Sequence, residues 1–334
     1  GSCSMCTSLK VANNRLSDNA IGQLLVDVLR TDTCSLRSLD ISGNEISGAI
    51  LSRIVRTNTS LTSLDFRKNP IDDNALWLIG GQLLEEDCQC QLGSLCTYAF
   101  ELVEGAQTLS LRDQKLAAGA ARCLIGVMKY NRSVTSLDLA GCGIATTATH
   151  SLARALAHNT TLVTLDLASN PLSDVSHYKE VELEFSRSPF HLFAASVASS
   201  LSLASLTLVG SALPLPHIKG AGDLSSRSKV LDLSNQSLNP LAGILIGALV
   251  QMHTSLTEIS LNNNTLLGPE GARAIVDKLH APTMRTLDLN AVVPMLPASE
   301  TSKLKRQGEK LGLAARLDGR VEAFSCKRAG EDKK

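Results

Sequence analysis

Cys88, Cys90 and Cys96 are the densest group of metal-capable side chains in this 334-residue chain, spaced C-x-C-x5-C. Thiolates bind zinc, but this spacing supplies three ligands without the paired knuckle of a structural site, and no His lies nearby in sequence. Cys3-Ser4-Met5-Cys6 is a CxxC, yet a redox motif of that spacing opens a helix after a strand, and here it precedes a strand. Cys34, Cys123 and Cys142 fall on apolar positions, where a free cysteine packs as a small hydrophobe. There is no GxxxxGK[ST], HExxH, GxSxG or phased GxGxxG, and the seven His are scattered without a triad partner. The expectation is no metal, no cofactor, no catalytic residue, and therefore no enzyme.

The second set of chemical groups is acidic. Asp40, Asp65, Asp138, Asp166, Asp232 and Asp288 each stand between apolar residues of a short LDL-like segment. Strand side chains alternate, so the leucines enter a core and the acids share the opposite sheet face, in a column with Lys10, Ser110, Thr207 and Ser260. Parallel strands lie about 4.8 Å apart, which places Asp40 beside Asp65, and Asp138 beside Asp166, at a repulsion of about 1 kcal/mol in water. Hydroxyls of Ser38, Ser63, Ser136, Thr164 and Thr286 in flanking columns, or a basic partner, are expected to offset it. Paired carboxylates catalyse hydrolysis from clefts that raise the pKa of one of them. An open face does not, so the column is a candidate protein-binding surface, although a row of charges is also how a solvated face reads.

Holding such a column requires a repeat, and LxxLxLxxN recurs along almost the whole chain. The best copies are SLRSLDISGNEI, SLTSLDFRKNPI, TLVTLDLASNPL and SLTEISLNNNTL, with strand cores starting at Leu39, Leu64, Leu165 and Ile259; weaker copies start at Leu9, Leu109, Leu137, Leu206, Leu231 and Leu287. Leu109, Leu137 and Leu165 are 28 residues apart, as are Leu231, Ile259 and Leu287. That length holds a strand, a turn and a helix. AAGAARCLIGVMKYNRS, TATHSLARALAHNTT and GPEGARAIVDKLH carry the apolar spacing of helices.

These residues resemble the ribonuclease-inhibitor-like class of leucine-rich repeats, LxxLxLxxNxLxxxGaxxLaxxLxxNxxL, over about residues 7 to 297. The resemblance implies an α/β solenoid, a right-handed βα horseshoe with a parallel concave sheet and helices outside. It also implies that the Asn bonds backbone groups in the turn after each strand. Gln114, Cys142, Ser211, Gln236 and Val292 replace that Asn, so those turns should be less regular. Members of the Ran-type GTPase-activating family are similar in repeat length but end in an acidic tail, whereas this chain ends basic.

Residues 1–297 are accordingly read as one solenoid of about ten repeats, and 298–334 as a capping helix with a basic tail, net +5 from Thr301 onward. Overall charge balances at 32 basic and 32 acidic residues, and with only 3% aromatic residues the chain offers neither a global field for nucleic acid or membranes nor a stacking platform for single strands. The basic tail is the one place where nucleic acid could dock, and salt-steep binding would reveal it. The longest apolar run, LAGILIGALV, is too short to span a bilayer. Without a signal peptide, the cysteines point to a reducing intracellular compartment, in which the sequons at Asn58, Asn131 and Asn159 stay unglycosylated. Gly1 and Ser2 run into a strand within eight residues, as expected of a fragment whose cap or further repeats lie upstream.

Two intervals exceed the period, leaving insertions near 83–106 and 173–200. Inserted residues project from a solenoid and often carry contacts. The second holds Tyr178, Phe185, Phe190 and Phe193, four of nine Phe and Tyr, and these are candidate anchors for a partner. The function expected is a non-catalytic scaffold in a larger intracellular, cytoplasmic assembly, with the cytoskeleton and the axoneme of the cilium as settings in which such repeats recur. The alternatives are a regulator of an enzyme (nuclease inhibitor or GTPase-activating protein) and a subunit of an RNA-protein assembly. No small-molecule substrate is expected.

Overall fold

The computed structural model describes residues 6–31, 34–172, 189–209, 211–220, 229–279, 284, 286–289, 299, 302, 306, 313–316 and 325–328. The residues group into two compact units. One comprises 1–165, 170–174 and 200–202, and the other 166–169, 175–199 and 203–334.

In the first unit strands and helices alternate: β1 (Ser8–Lys10), α1 (Gln23–Leu29), β2 (Ser38–Asp40), α2 (Gly48–Thr57), β3 (Ser63–Asp65), α3 (Asp73–Leu84), β4 (Ser94–Cys96), β5 (Glu101–Leu102), β6 (Thr108–Ser110), α4 (Ala118–Met128), β7 (Ser136–Asp138), α5 (Thr146–Leu156) and β8 (Thr164–Asp166). A π-helical turn, Asp18–Gly22, leads into α1. β1 to β4 pair in parallel, aligning Leu9, Leu39, Leu64 and Leu95 in one column and Lys10, Asp40, Asp65 and Cys96 in the next. β6 and β7 pair likewise, Leu109 with Leu137 and Ser110 with Asp138.

The interval read as an insertion near 83–106 therefore contains a repeat strand of its own. Leu64 to Leu95 is 95 − 64 = 31 residues, close to one period, and only Leu95 to Leu109, 109 − 95 = 14 residues, is extra. Those residues turn back as β5, antiparallel to β4. The strand escapes a pattern search because Cys96 and Thr97 stand where the other copies carry Asp and an apolar residue.

The second unit contains α6 (Pro189–Ser199), β9 (Ser205–Val209), β10 (Ser211–Pro214), α7 (Leu215–Lys219), β11 (Val230–Asp232), α8 (Pro240–Val250), β12 (Glu258–Ser260), α9 (Gly268–Val276), β13 (Thr286–Asp288), β14 (Leu313–Arg316) and β15 (Ser325–Arg328). β10 returns antiparallel on β9. β11, β12 and β13 are parallel and in register. The apolar run at 241–250 is α8, buried on nearly all sides because it packs against both α6 and α9. Among the described residues no helix is long and apolar enough to cross a membrane.

Within 298–334, where a capping helix and tail are expected, the described residues Ser299, Ser302 and Arg306 are helical, and two short strands follow. Leu313–Arg316 and Ser325–Arg328 are strands of an antiparallel pair, and β15 bridges to β13 through Ser325 and Asp288. A helix would leave the outer edge of β13 with unpaired backbone groups, and a strand satisfies them.

Two asparagine positions, where the repeats carry them, tie neighbouring segments together. Asn44 accepts from the backbone N–H of Asn14 (3.0 Å) and Leu16 (2.9 Å) and donates to the carbonyl of Ile41 (2.8 Å); Asn264 does the same for Gln236, Leu238 and Leu261. Among the described residues, the one before that Asn position lies in the left-handed region. Asn13, Gly43, Lys68, Asp113, Gly141, Ser169, Asn235 and Asn263 have φ between +56° and +67°, a conformation that Gly, Asn and Asp tolerate best. At Cys142 the thiol can donate to the Leu111 carbonyl (2.9 Å) but supplies no strong acceptor in return. The sequon residues form the second ladder. Asn58, Asn131 and Asn159 are buried, and each amide oxygen accepts from the two N–H groups that begin the next strand segment.

Helix α3 packs against α4 through glycines. A Cβ on Gly80 would stand 2.6 Å from the backbone carbon of Arg122, nearer than van der Waals contact allows. Gly80→Ala is therefore expected to cost about 1–3 kcal/mol by forcing the helices apart, measurable as a lower urea midpoint. Unchanged stability would mean the helices do not approach this closely. Asp73, in the first turn of α3, accepts from the N–H of Gly119 and of Ala120 (2.8 Å each), so one helix caps the next.

Candidate protein-binding face

In each unit the short strands leave one sheet face uncovered by the helices of the repeats, and the acidic column lies on it. Asp40 accepts from the N–H (3.0 Å) and the hydroxyl (2.7 Å) of Ser42. Asp65, Asp138, Asp166 and Asp232 likewise accept from the N–H two residues on, at Arg67, Ala140, Ala168 and Ser234 (2.9–3.1 Å). Asp is thus favoured at this position because its carboxylate closes the turn after the strand.

The charge is offset by groups other than the flanking hydroxyls. Arg67 lays its guanidinium across Asp65 (2.7 Å) and reaches Glu101 on β5 (2.6 Å); the hydrogen bonds it donates to both acids raise the Arg67 pKa further, so it stays charged. Arg112 bonds Asp138 at 2.9 Å, with Ser110 at 3.2 Å. Asn262 donates to Asp288 at 2.7 Å. Hydrogen bonds from Ser234 hold the Asp232 carboxyl below its ordinary value. Replacing Asp138 by Asn therefore loses an ion pair as well as a repulsion. A small loss of stability, at most about 1 kcal/mol for so exposed a pair, is expected in place of a gain, and a higher melting temperature for Asp138→Asn would contradict it.

The first insertion frames a cleft of about 560 Å³ whose walls include Gln91, Ser94, Glu104, Tyr130 and Arg132. Its three cysteines do not come together. Cys96 faces the acidic column, where burial, and then Asp65, push its thiol up to about 11. Cys88 and Cys90 lie on the segment after α3, where Asn58 donates to the Cys90 sulfur at 3.3 Å. No group of three or more His, Cys, Asp or Glu able to hold a metal occurs among the described residues. Spacing alone could not separate Cys96 from the other two; the alternation of β4 does.

The aromatic anchors require correction. Phe190 and Phe193 are 0% exposed, with ring centroids 5.5 Å apart, and belong to the core face of α6 with Ala194 and Val197. This stretch supplies the helix of its repeat. Tyr178 and Phe185 lie outside the described residues, as does most of the basic tail. The exposed apolar residues that sequence reasoning missed include Tyr98 and Val103 on the β4–β5 hairpin and Trp77 on α3, whose ring carries the Arg122 guanidinium at 4.3 Å.

Residues 34–55, 57–76, 130–147, 158–176 and 253–276 match the family described as Leucine Rich repeat. The chain is a leucine-rich-repeat protein. It is 28% identical over 183 residues to human NACHT, LRR and PYD domains-containing protein 5, covering 50% of this chain and 15% of that protein. Mouse NACHT, LRR and PYD domains-containing protein 12 is 27% identical over 295 residues, 85% of this chain and 25% of the relative. Mouse ribonuclease inhibitor is 27% identical over 186 residues, 50% of this chain and 40% of the inhibitor. The leucine-rich-repeat chain thus spans well under half of these relatives. The α/β repeat fold read from the sequence, of the ribonuclease-inhibitor-like kind, holds.

Proposed function

We propose that this protein is a non-catalytic scaffold that holds another protein on its open sheet faces, as a structural subunit of a larger cytoplasmic assembly of the cytoskeletal or axonemal kind. The observation that carries the binding reading is the face itself. It presents half-exposed carboxylates fixed by their own turns, with Arg67 and Arg112 laid between them. Such an array matches a partner bearing basic and hydrogen-bonding groups, and fixed side chains lose little entropy on binding. The similarity to ribonuclease inhibitor favours one second reading, the regulation of a single enzyme.

Affinity capture from source cells followed by mass spectrometry separates the two. A multiprotein filament or organelle complex supports the scaffold, and one stoichiometric enzyme supports the regulator. The same capture with an Asp40→Asn, Asp232→Asn double variant tests the surface: partner recovery should fall, most strongly at low salt. Full recovery by the folded variant at every salt concentration would move the binding surface elsewhere.

A further inference from the structure

We propose that Cys88 and Cys90 are a reactive thiol pair, oxidised to an intramolecular disulfide by a small disulfide such as oxidised glutathione, with Cys88 attacking and Cys90 resolving. The pair lies on the irregular segment between α3 and β4. Cys88 is half-buried and reachable, while Cys90 is 1% exposed. The Cys88 sulfur lies 3.9 Å from the Cys90 carbonyl oxygen, two residues on. Beside them Lys129 is 3% exposed, its ammonium donating to the Glu85 carbonyl at 2.7 Å and resting 5.1 Å from the Tyr130 ring. A buried ammonium favours an anion nearby, and the Cys88 sulfur is within its field.

The hydrogen bond from Cys90 foremost, with help from Tyr130 and Lys129, lowers Cys88 to about 6, whereas the hydrogen bond to Cys88 and then burial raise Cys90. At neutral pH the accessible sulfur is thus the thiolate and the buried one keeps its proton. The other cysteines of the core differ: burial raises Cys123 far above its ordinary value and raises Cys142 too.

The chemistry balances. The Cys88 thiolate attacks one sulfur of the small disulfide, whose S–S bond breaks as the first glutathione thiolate leaves and takes up a proton from water. The mixed disulfide at Cys88 no longer carries the negative charge that held Cys90 protonated, so Cys90 releases its proton to solvent. Its sulfur then attacks the Cys88 sulfur and expels the second glutathione thiolate. Two protein thiols are oxidised and one glutathione disulfide is reduced to two thiols. Tyr130, which lines the neighbouring cleft, points its hydroxyl at the Cys88 carbonyl (3.4 Å).

The full chain treated with oxidised glutathione at pH 7, blocked with an alkylating agent and mapped by peptide mass spectrometry tests this. A peptide containing a Cys88–Cys90 disulfide should appear, and Cys90→Ser should accumulate glutathione on Cys88. Cys88→Ser should leave Cys90 reduced. In the untreated chain Cys88 should alkylate a few-fold faster than Cys6 or Cys34 at pH 7, because a larger thiolate fraction outweighs the lower intrinsic nucleophilicity of a low-pKa thiolate. Alkylation of Cys88 no faster than of Cys6 and Cys34, or a wild-type reaction that ends at the mixed disulfide, would overturn the proposal.

Discussion

Phe190→Ala and Phe193→Ala are each expected to destabilise the protein by about 3–5 kcal/mol, the cost of emptying a buried aromatic site. Both rings are fully buried, in contact with one another on α6, and α6 packs on α8 within the same unit. Each truncation removes the ring's transfer energy and leaves a cavity that two packed helices can only partly close. The measurement is a urea titration, in which each variant's midpoint falls well below that of the parent. Partner capture by the fraction that remains folded should be preserved, since neither ring reaches solvent. A variant with parental stability and lost capture would restore these residues as exposed anchors and would mean that α6 is wrongly placed.

Leu139→Ala and Leu165→Ala should cost about 2–5 kcal/mol each for the same reason. Leu165 is the inward residue of β8, and Leu139 follows β7 directly, buried, with its carbonyl accepting from Asn170 at 2.7 Å. The layer between a short strand and its helix is a narrow slot, and neighbouring repeats fix its width, so the slot cannot collapse around the lost methyls. Denaturant midpoints decide this as well. A loss smaller than roughly 0.5 kcal/mol for either variant, far under the cavity cost, would show that these leucines do not face the core.

The repeat was legible because it is local. A residue's place in LxxLxLxxN determines whether it points into the core, closes a turn or faces solvent, and that information sits within a dozen neighbours. The strands at Leu39, Leu64, Leu109, Leu137, Leu165, Leu231 and Ile259, the helices between them and the outward column of aspartates all follow from the spacing.

Tertiary structure decided what the period does not contain. β4 carries Cys96 and Thr97 instead of the repeat's usual residues, and it is a strand because β3 offers a free edge in register. Beyond the helical residues Ser299, Ser302 and Arg306, the edge of β13 draws residues 325–328 into a strand that no repeat spacing announces. Phe190 and Phe193 look like projecting anchors when counted against an average repeat. They are core because α8, dozens of residues away in sequence, covers them. The aspartates' role in closing turns, and the cations of Arg67 and Arg112 that neutralise two of them, depend on distances that no linear pattern records. The same holds for Cys88 and Cys90. Their spacing resembles that of many inert cysteines, and only the packing of α4 brings Lys129 and Tyr130 beside them. Local periodicity determines the element, and long-range packing determines the chemistry of the groups it carries.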